Sequence, residues 1–401
     1  DAVQEGQIIA EPAEENEKLQ AKIHSPVPGI IEDTILCTCP DGKKNSAVQI
    51  RMKGAFKYLG KTEKISDWKQ FLAASIIQNI ADQGVVNTFL ASKTVSFASQ
   101  LSKAASSVKK HLLIVRLFDE DPARITDTVL SRIFKNDIYT GALITARAFH
   151  ASGIVFINDE GELTDDFNMQ ERDKDAIPIR CISVNSENYP VGLKKEIQEN
   201  IKKNLKEKPF SEVSSEDIFT DSSTMLDVCR VIKYGIPVIS KYVHVNGNCL
   251  PASGLMNVRI GTTLRFLAEQ CGGFIAPPAA IIINGIISGR AVESLDTPIT
   301  KYVKSVSFLP SGEVPDQRQS SCIRCGNCRK VCPCHLTPDV LYRHAAGGKS
   351  ADKDYIISAR LCSECGLCNS VCPARLPISQ TVSFLKNAEF VQELPVQQND
   401  F

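Results

Sequence analysis

The sequence lacks any apolar run long enough to cross a bilayer. A spanning helix needs roughly 18 to 20 apolar residues, and stretches such as Ala279–Ile287 are only strand-sized. Net charge is missing too, because 46 Lys and Arg face 46 Asp and Glu. Without a basic balance there is no support for a nucleic-acid partner. The opening residues, Asp1-Ala2-Val3-Gln4-Glu5, have no basic or apolar leader segment, so no signal peptide is expected, although a processed start stays open. The six histidines are scattered, and no Ser/His/Asp triad is discernible. Cysteine is not scarce, but it is not spread as in a disulfide scaffold. Of 15 cysteines, nine lie between Cys322 and Cys372. Clustered Cys-x-x-Cys runs in a long chain without a leader read as metal ligands in a reducing compartment, which places the protein inside the cell.

The 401 residues leave room for roughly two to four domains. Residues 1–20 are polar, rich in Glu and expected to be mobile. From Lys22 to Met52 a strand-like pattern with turn signals at Val27-Pro28-Gly29 and Asp41-Gly42-Lys43-Lys44 predicts a small β module. Between 66 and 160, helix and strand signals alternate. Helices are predicted over Gln70–Ile80, Asp127–Phe134 and Tyr139–His150, and buried strands over His111–Leu117 and Gly153–Ile157. That alternation argues for a parallel sheet with crossovers. Further on, Gly261–Gly273 reads as a helix with a Thr N-cap and a glycine stop. Ala280-Ile281-Ile282-Ile283-Asn284-Gly285 reads as a strand entering a turn, and Ser379–Phe390 as a helix. Linkers are expected at Asp159–Asp175 and Ser311–Gln319.

The strongest signal is a duplicated motif, Cys-x-x-Cys-Gly-x-Cys-x-x-Val-Cys-Pro. The first copy is Cys322, Cys325, Cys328 and Cys332 before Pro333; the second is Cys362, Cys365, Cys368 and Cys372 before Pro373. Three thiolates on one tight loop can face one iron–sulfur cube, and in two-cluster ferredoxins the Cys before Pro serves the other cube. The spacing therefore assigns Cys322, Cys325, Cys328 and Cys372 to one [4Fe–4S] cluster. It assigns Cys362, Cys365, Cys368 and Cys332 to the second. Gly326 and Gly366 let backbone amides approach the sulfurs. A pair of zinc sites is the alternative, since zinc also takes four thiolates. Cys334 falls outside both motifs and reads as a bystander. Cys37 and Cys39 share one strand face, while Cys181, Cys229, Cys249 and Cys271 read as small buried hydrophobes.

Segments upstream of the cysteines carry a resemblance. His24-Ser25-Pro26-Val27-Pro28-Gly29 is followed by Tyr189-Pro190-Val191-Gly192-Leu193-Lys194-Lys195. Next come Val258-Arg259-Ile260-Gly261-Thr262 through Cys271-Gly272-Gly273-Phe274, then Ser294-Leu295-Asp296-Thr297-Pro298-Ile299-Thr300-Lys301. In this order, and leading into the cysteine motifs, they resemble the C subunit of the Rnf electron-transport complex, a peripheral subunit of a membrane ion pump. The resemblance implies a multidomain α/β and α+β chain. A biotinyl-like β-sandwich-hybrid module over 21–65 precedes a Rossmann-like domain over 66–175, similar to the flavin subunit of respiratory complex I. A region with a β-grasp, SLBB-like domain over 176–310 leads to a helical two-cluster ferredoxin-like domain over 311–390, with a flexible tail from 391.

In that family the α/β domain binds FMN through a glycine-rich loop and receives electrons from NADH. The matching stretch here is Asp82-Gln83-Gly84-Val85-Val86-Asn87-Thr88-Phe89, where Gly84 is the glycine that survives. An acidic turn of the family is matched by Phe118-Asp119-Glu120-Asp121-Pro122, and a later glycine turn by Asn284–Gly289. Gly84, Asp119, Glu120 and Asp121 are thus the residues the resemblance assigns to flavin. Asp119, Glu120 and Asp121 read equally as a solvated helix entry. A phosphate cradle needs several amides in glycine-type conformations, and Val85 and Val86 are β-branched and stiff. The loop therefore predicts weak or no binding of FMN and no oxidation of NADH by this chain alone. The implied partners are membrane and iron–sulfur subunits of an Rnf-like translocase, with a soluble carrier such as ferredoxin or flavodoxin. The implied location is the cytoplasmic face of the cell membrane. A cobalamin-reductase-like protein of microcompartments, or a relay module without flavin, are the alternatives.

Overall fold

The computed structural model describes residues 1–13, 19–58, 65–90, 96–160, 177–314, 318–347 and 352–386. The chain divides into two compact units, Asp1–Val314 and Pro315–Phe401. Most of the expected linker over 159–175, part of that over 311–319, the end of the Ser379–Phe390 helix and the tail from 391 lie outside the described residues.

The first unit begins with short strands β1 (Ala2–Val3), β2 (Ile8–Ala10) and β3 (Ile23–His24), then a hairpin of β4 (Gly29–Thr38) and β5 (Lys44–Met52). β1 pairs with β4, and β2 with β3. The expected mobility of residues 1–20 thus gives way to strand pairing at both β1 and β2. Buried Glu5 explains much of this: its carboxylate accepts from the amide of Tyr58 at 2.8 Å and from Arg259 Nη1 at 2.6 Å.

The middle of the unit is an α/β layer. It runs α1 (Ala73–Asp82), α2 (Phe97–Ser106), β6 (Leu112–Arg116), α3 (Thr126–Ile133), α4 (Lys135–Ala148) and β7 (Gly153–Asp159). It continues through β8 (Ile179–Val184), α5 (Lys194–Asn204), β9 (Ile218–Asp221) and α6 (Ser222–Tyr234). The four strands are parallel in the order β8-β7-β6-β9. Successive β6 residues face opposite sides. Leu113 and Val115 join a core with α1, α2, α4 and α6, while Leu112 and Ile114 join one with Ile197 and Ile201 of α5. Burial on both faces explains why this strand reads as a continuous apolar run. The predicted helices are present with shifted ends. α1 starts three residues later, because Trp68–Gln70 forms a separate 3-10 turn.

A mixed five-stranded sheet follows. β10 (Ser240–Asn246), β11 (Gly254–Arg259), α7 (Leu264–Gln270), β12 (Ala280–Ile283), β13 (Arg290–Val292) and β14 (Ser305–Leu309) are arranged as β11-β10-β14-β12-β13. Thr263 caps α7 by accepting from the Phe266 amide, and Gly272 and Gly273 follow with φ of +94° and +81°. This matches the predicted cap and stop. α7 buries Leu264, Leu267 and Ala268 against the sheet.

The second unit is helical: α8 (Asn327–Lys330), α9 (Pro338–Ala346), α10 (Lys353–Arg360), α11 (Leu367–Ser370) and α12 (Ile378–Lys386). Its core joins Leu341, Ile356, Leu376, Ile378, Val382 and Leu385 to the cysteines Cys328 and Cys368.

One buried ion cluster locks the first unit. Lys304, just before β14, sends its ammonium to Asp127 of α3 at 2.6 Å and to Asp221 of β9 at 2.5 Å, and all three are fully buried. Removing one partner of such a group leaves uncompensated charge in the core, a loss of about 3 to 5 kcal/mol. Lys304→Ala is expected to lower stability by about that much in urea unfolding followed by Trp68 fluorescence. A loss under about 1 kcal/mol would mean that the cluster is not the lock.

Candidate functional site

The two motif copies fold alike. Cys322 and Cys362, Cys325 and Cys365, Cys328 and Cys368, and Cys332 and Cys372 each stand forty positions apart, and the backbone repeats with them. Gly326 and Gly366 cap α8 and α11 with φ of +78° and +74°. Arg324 and Glu364, between the first two cysteines of each copy, share φ of +57° and +61°, and His335 and Arg375 follow at +53° and +52°. Such non-glycine residues sit at a cost in the left-handed region, and here the duplicated loop holds them so that amides turn toward sulfur. The Glu364 amide lies 3.3 Å from Cys362 Sγ, and the Leu336 amide 3.4 Å from Cys332 Sγ.

The cysteines line two small, similar cavities. One is lined by Cys322, Cys325, Cys328 and Cys372; the other by Cys332, Cys362, Cys365 and Cys368. Each copy therefore lends its Cys-Pro cysteine to the cavity built by the other copy. Among the described residues no three His, Cys, Asp or Glu side chains converge as ligands of one metal ion. A four-iron cube is gripped at its corners by four thiolates, and each crossed set of cysteines supplies that number.

Without metal the thiols are poorly served. Burial pushes the Cys362 thiol up to about 11 and the Cys368 thiol up to about 12. Iron would supply the positive charge that holds these sulfurs as thiolates. Cys334, read from sequence as a bystander, lines the second cavity as well. Its spacing obscured this, because no motif position requires it. Around the first cavity Asp339 is buried and held below the usual carboxylate range by hydrogen bonds from Arg329 at 2.6 and 2.7 Å. In the second copy Lys386 donates to Glu364 at 2.6 Å and to the Cys362 carbonyl at 2.5 Å.

The residues assigned to flavin lie in the first unit. Doubly wound sheets take ligands beyond the carboxyl ends of their strands, where strand order reverses. Here that point lies between β6 and β9, and the chain's own charges fill it. Fully buried Arg116 ends β6 and donates to Gly192 O at 2.7 Å, to Phe118 O at 3.1 Å and to Glu120. Burial alone would raise the Glu120 carboxyl, but Arg116 and Arg124 overcome it and hold it at about 2. Asp119 accepts from Arg124 Nε at 3.2 Å and from the Thr128 amide at 3.1 Å. Asp121 accepts from the amides of Ile286, Ile287 and Ser288 at 3.1, 2.9 and 3.0 Å.

The solvated helix entry is thus corrected: Asp119, Glu120 and Asp121 are buried, because each carboxylate finds internal donors. The later glycine turn forms a nest of amides around the Asp121 carboxylate. Gly285, at φ +108°, must lack a side chain, since a Cβ would fall 2.2 Å from Asp121 Cγ. Gly84, at φ +78°, closes α1 and accepts from Lys301 Nζ at 2.7 Å; burial pulls that ammonium down to about 7. The amides of Gly84, Val85 and Thr88 are bonded to Ala81 O, Ile80 O and Thr224 Oγ1.

The comparisons with known proteins bear on the cysteine unit and on the chain as a whole. The family described as 4Fe-4S dicluster domain matches residues 318–376. The C subunit of the proton-translocating ferredoxin:NAD(+) oxidoreductase complex of Clostridium ljungdahlii is 25% identical over 344 residues, covering 85% of this chain and 73% of that protein. The C subunit of the ion-translocating oxidoreductase complex of Rhodobacter capsulatus is 28% identical over 401 residues, covering 96% of this chain and 73% of that protein. Among solved structures, an NAD+-reducing [NiFe]-hydrogenase in the H2-reduced state matches with a TM-score of 0.52 and 14% identity. That match covers 80% of this chain and 64% of the hydrogenase chain, less than two thirds of its length, and speaks to fold alone. Over most of its length, then, the chain is homologous to the C subunits of Rnf-type ion-translocating oxidoreductase complexes.

Proposed function

We propose that the chain is an electron-transfer subunit of an Rnf-like complex, passing electrons between a soluble carrier and membrane subunits that move ions. The observation that carries this reading is the crossed pair of thiol-lined cavities. Cys322, Cys325, Cys328 and Cys372 would hold one [4Fe–4S] cluster, and Cys362, Cys365, Cys368 and Cys332 the other. When bound, the clusters supply two one-electron centres. The chain's own residues set their surroundings. Amides of Glu364 and Leu336 face sulfur, apolar Leu341, Leu376 and Ile378 exclude water, and Arg329 and Lys386 neutralise the neighbouring carboxylates.

The first unit serves as a scaffold in this reading. Its crevice between β6 and β9 is occupied by Arg116, Glu120 and the Lys304 cluster, and its amide nest by Asp121, which supports weak or no binding of FMN there. Electrons then come from ferredoxin or flavodoxin, not from NADH at this chain. The five-stranded mixed sheet with α7 supports the β-grasp reading of the region before residue 310, and the strands before Met52 support the hybrid β module. Among the described residues no helix is long and apolar enough to cross a membrane. Together with the relatives' membership of translocating complexes, this supports a peripheral place at the membrane, and the cytoplasmic side is what the family resemblance implies.

Three measurements test the proposal. Anaerobic reconstitution should load about eight iron and eight sulfide per chain, with the EPR of two interacting clusters on reduction; stoichiometric zinc without sulfide would end the reading. Cys372→Ala should remove the cluster held by Cys322, Cys325 and Cys328 and spare the other, and loss of the Cys362 cluster instead would refute the crossed ligation. Titration with FMN, followed by flavin fluorescence, should show no submicromolar binding. Tight binding with bleaching by NADH would show that the crevice opens after all.

A further inference from the structure

The second cavity contains one thiol more than a four-iron cube requires. Cys334 stands two positions beyond Cys332, across Pro333, and lines the same cavity as Cys332, Cys362, Cys365 and Cys368. The internal repeat supplies the control. Forty positions on, the counterpart of Cys334 is Ala374, which lines the first cavity without a donor atom. The cavities are otherwise matched, with three motif cysteines and one crossed cysteine each. The rest of the second lining is apolar or hydroxylic, with Leu336, Leu341, Val382, Ser363 and Ser379 among it, so among the described lining residues no cationic side chain competes with iron for the fifth sulfur.

We propose that Cys334 is a reserve ligand of the second cluster, able to replace Cys332 as its fourth thiolate. The proposal rests on the cluster reading above. In the exchange the bond from iron to Cys332 Sγ breaks and a bond to Cys334 Sγ forms. The proton of the Cys334 thiol passes to Cys332, no electron changes hands, and the thiolate count at the cluster is conserved. The exchange also gives up the contact between the Leu336 amide and Cys332 Sγ at 3.4 Å. Hydrogen bonds to ligand sulfur help set cluster potential, so the two ligation states differ in potential. The first cluster, with Ala374, has one state only.

Reconstituted full-length variants test this through iron and sulfide counts and the EPR of the reduced state. Cys332→Ala should keep about eight iron per chain, and Cys332→Ala combined with Cys334→Ala about four. Cys372→Ala should keep about four, and adding Ala374→Cys should restore about eight. A Cys332→Ala protein that loses its second cluster as fully as the double variant, or that carries a three-iron centre in its place, overturns the proposal. If Cys332→Ala does not accumulate, the Cys372→Ala and Ala374→Cys pair reads the same geometry, and no recovery there overturns it equally. Absence of iron and sulfide from the unmodified chain would instead count against the cluster reading itself.

Discussion

Lys304 holds two buried carboxylates on one ammonium, and the first unit is organised around that contact. The lysine immediately precedes β14 of the five-stranded sheet, while Asp127 and Asp221 come from the α/β layer. Burial and the neighbouring Asp221 charge push Asp127 up to about 6 despite the lysine, which marks how closely the two acids share a single counter-charge. The Asp221 carboxylate also accepts from Thr88 Oγ1 at 2.9 Å and from the Thr224 amide at 2.8 Å, which fixes the loop after α1. A ligand could enter this crevice only by parting charges that have no water to replace their partners. The carboxylates and cations at this end of the α/β layer are in this way satisfied by one another.

The second unit has a different character, because cysteines form part of its core. Cys328 and Cys368 belong to its hydrophobic core, and burial raises both thiols. A small helical unit that builds its core around thiols depends on metal for part of its folding free energy. Gly326 and Gly366, with the left-handed Arg324 and Glu364, hold the loops in the shape that a cube needs. Redox chemistry and stability of this unit thus reside in the same residues.

The cluster motifs were legible in sequence because the spacing of thiolates around a cube is local, and even the crossed Cys332 and Cys372 follow from the duplication. The parallel sheet was legible because β6 is apolar on both faces. Other features depended on contacts remote in sequence. Asp121 looked solvated, yet its partners Ile286, Ile287 and Ser288 come from the turn after β12. Glu5 looked part of a mobile end, yet it meets Arg259. Cys334 sat at no motif position, and only the fold turns it toward the second cavity. Gly84 was visible as a glycine, but its task, a close approach to Lys301, depends on a residue near the far end of the unit.

The central claim is that this chain carries electrons through paired clusters without a flavin of its own. The most direct measurement mixes the reconstituted, oxidised protein anaerobically with reduced ferredoxin, or with NADH plus added FMN, and follows bleaching of the iron–sulfur absorbance. The account predicts rapid bleaching by reduced ferredoxin and none by NADH with FMN. Bleaching by NADH that depends on FMN, with ferredoxin inert, would contradict it.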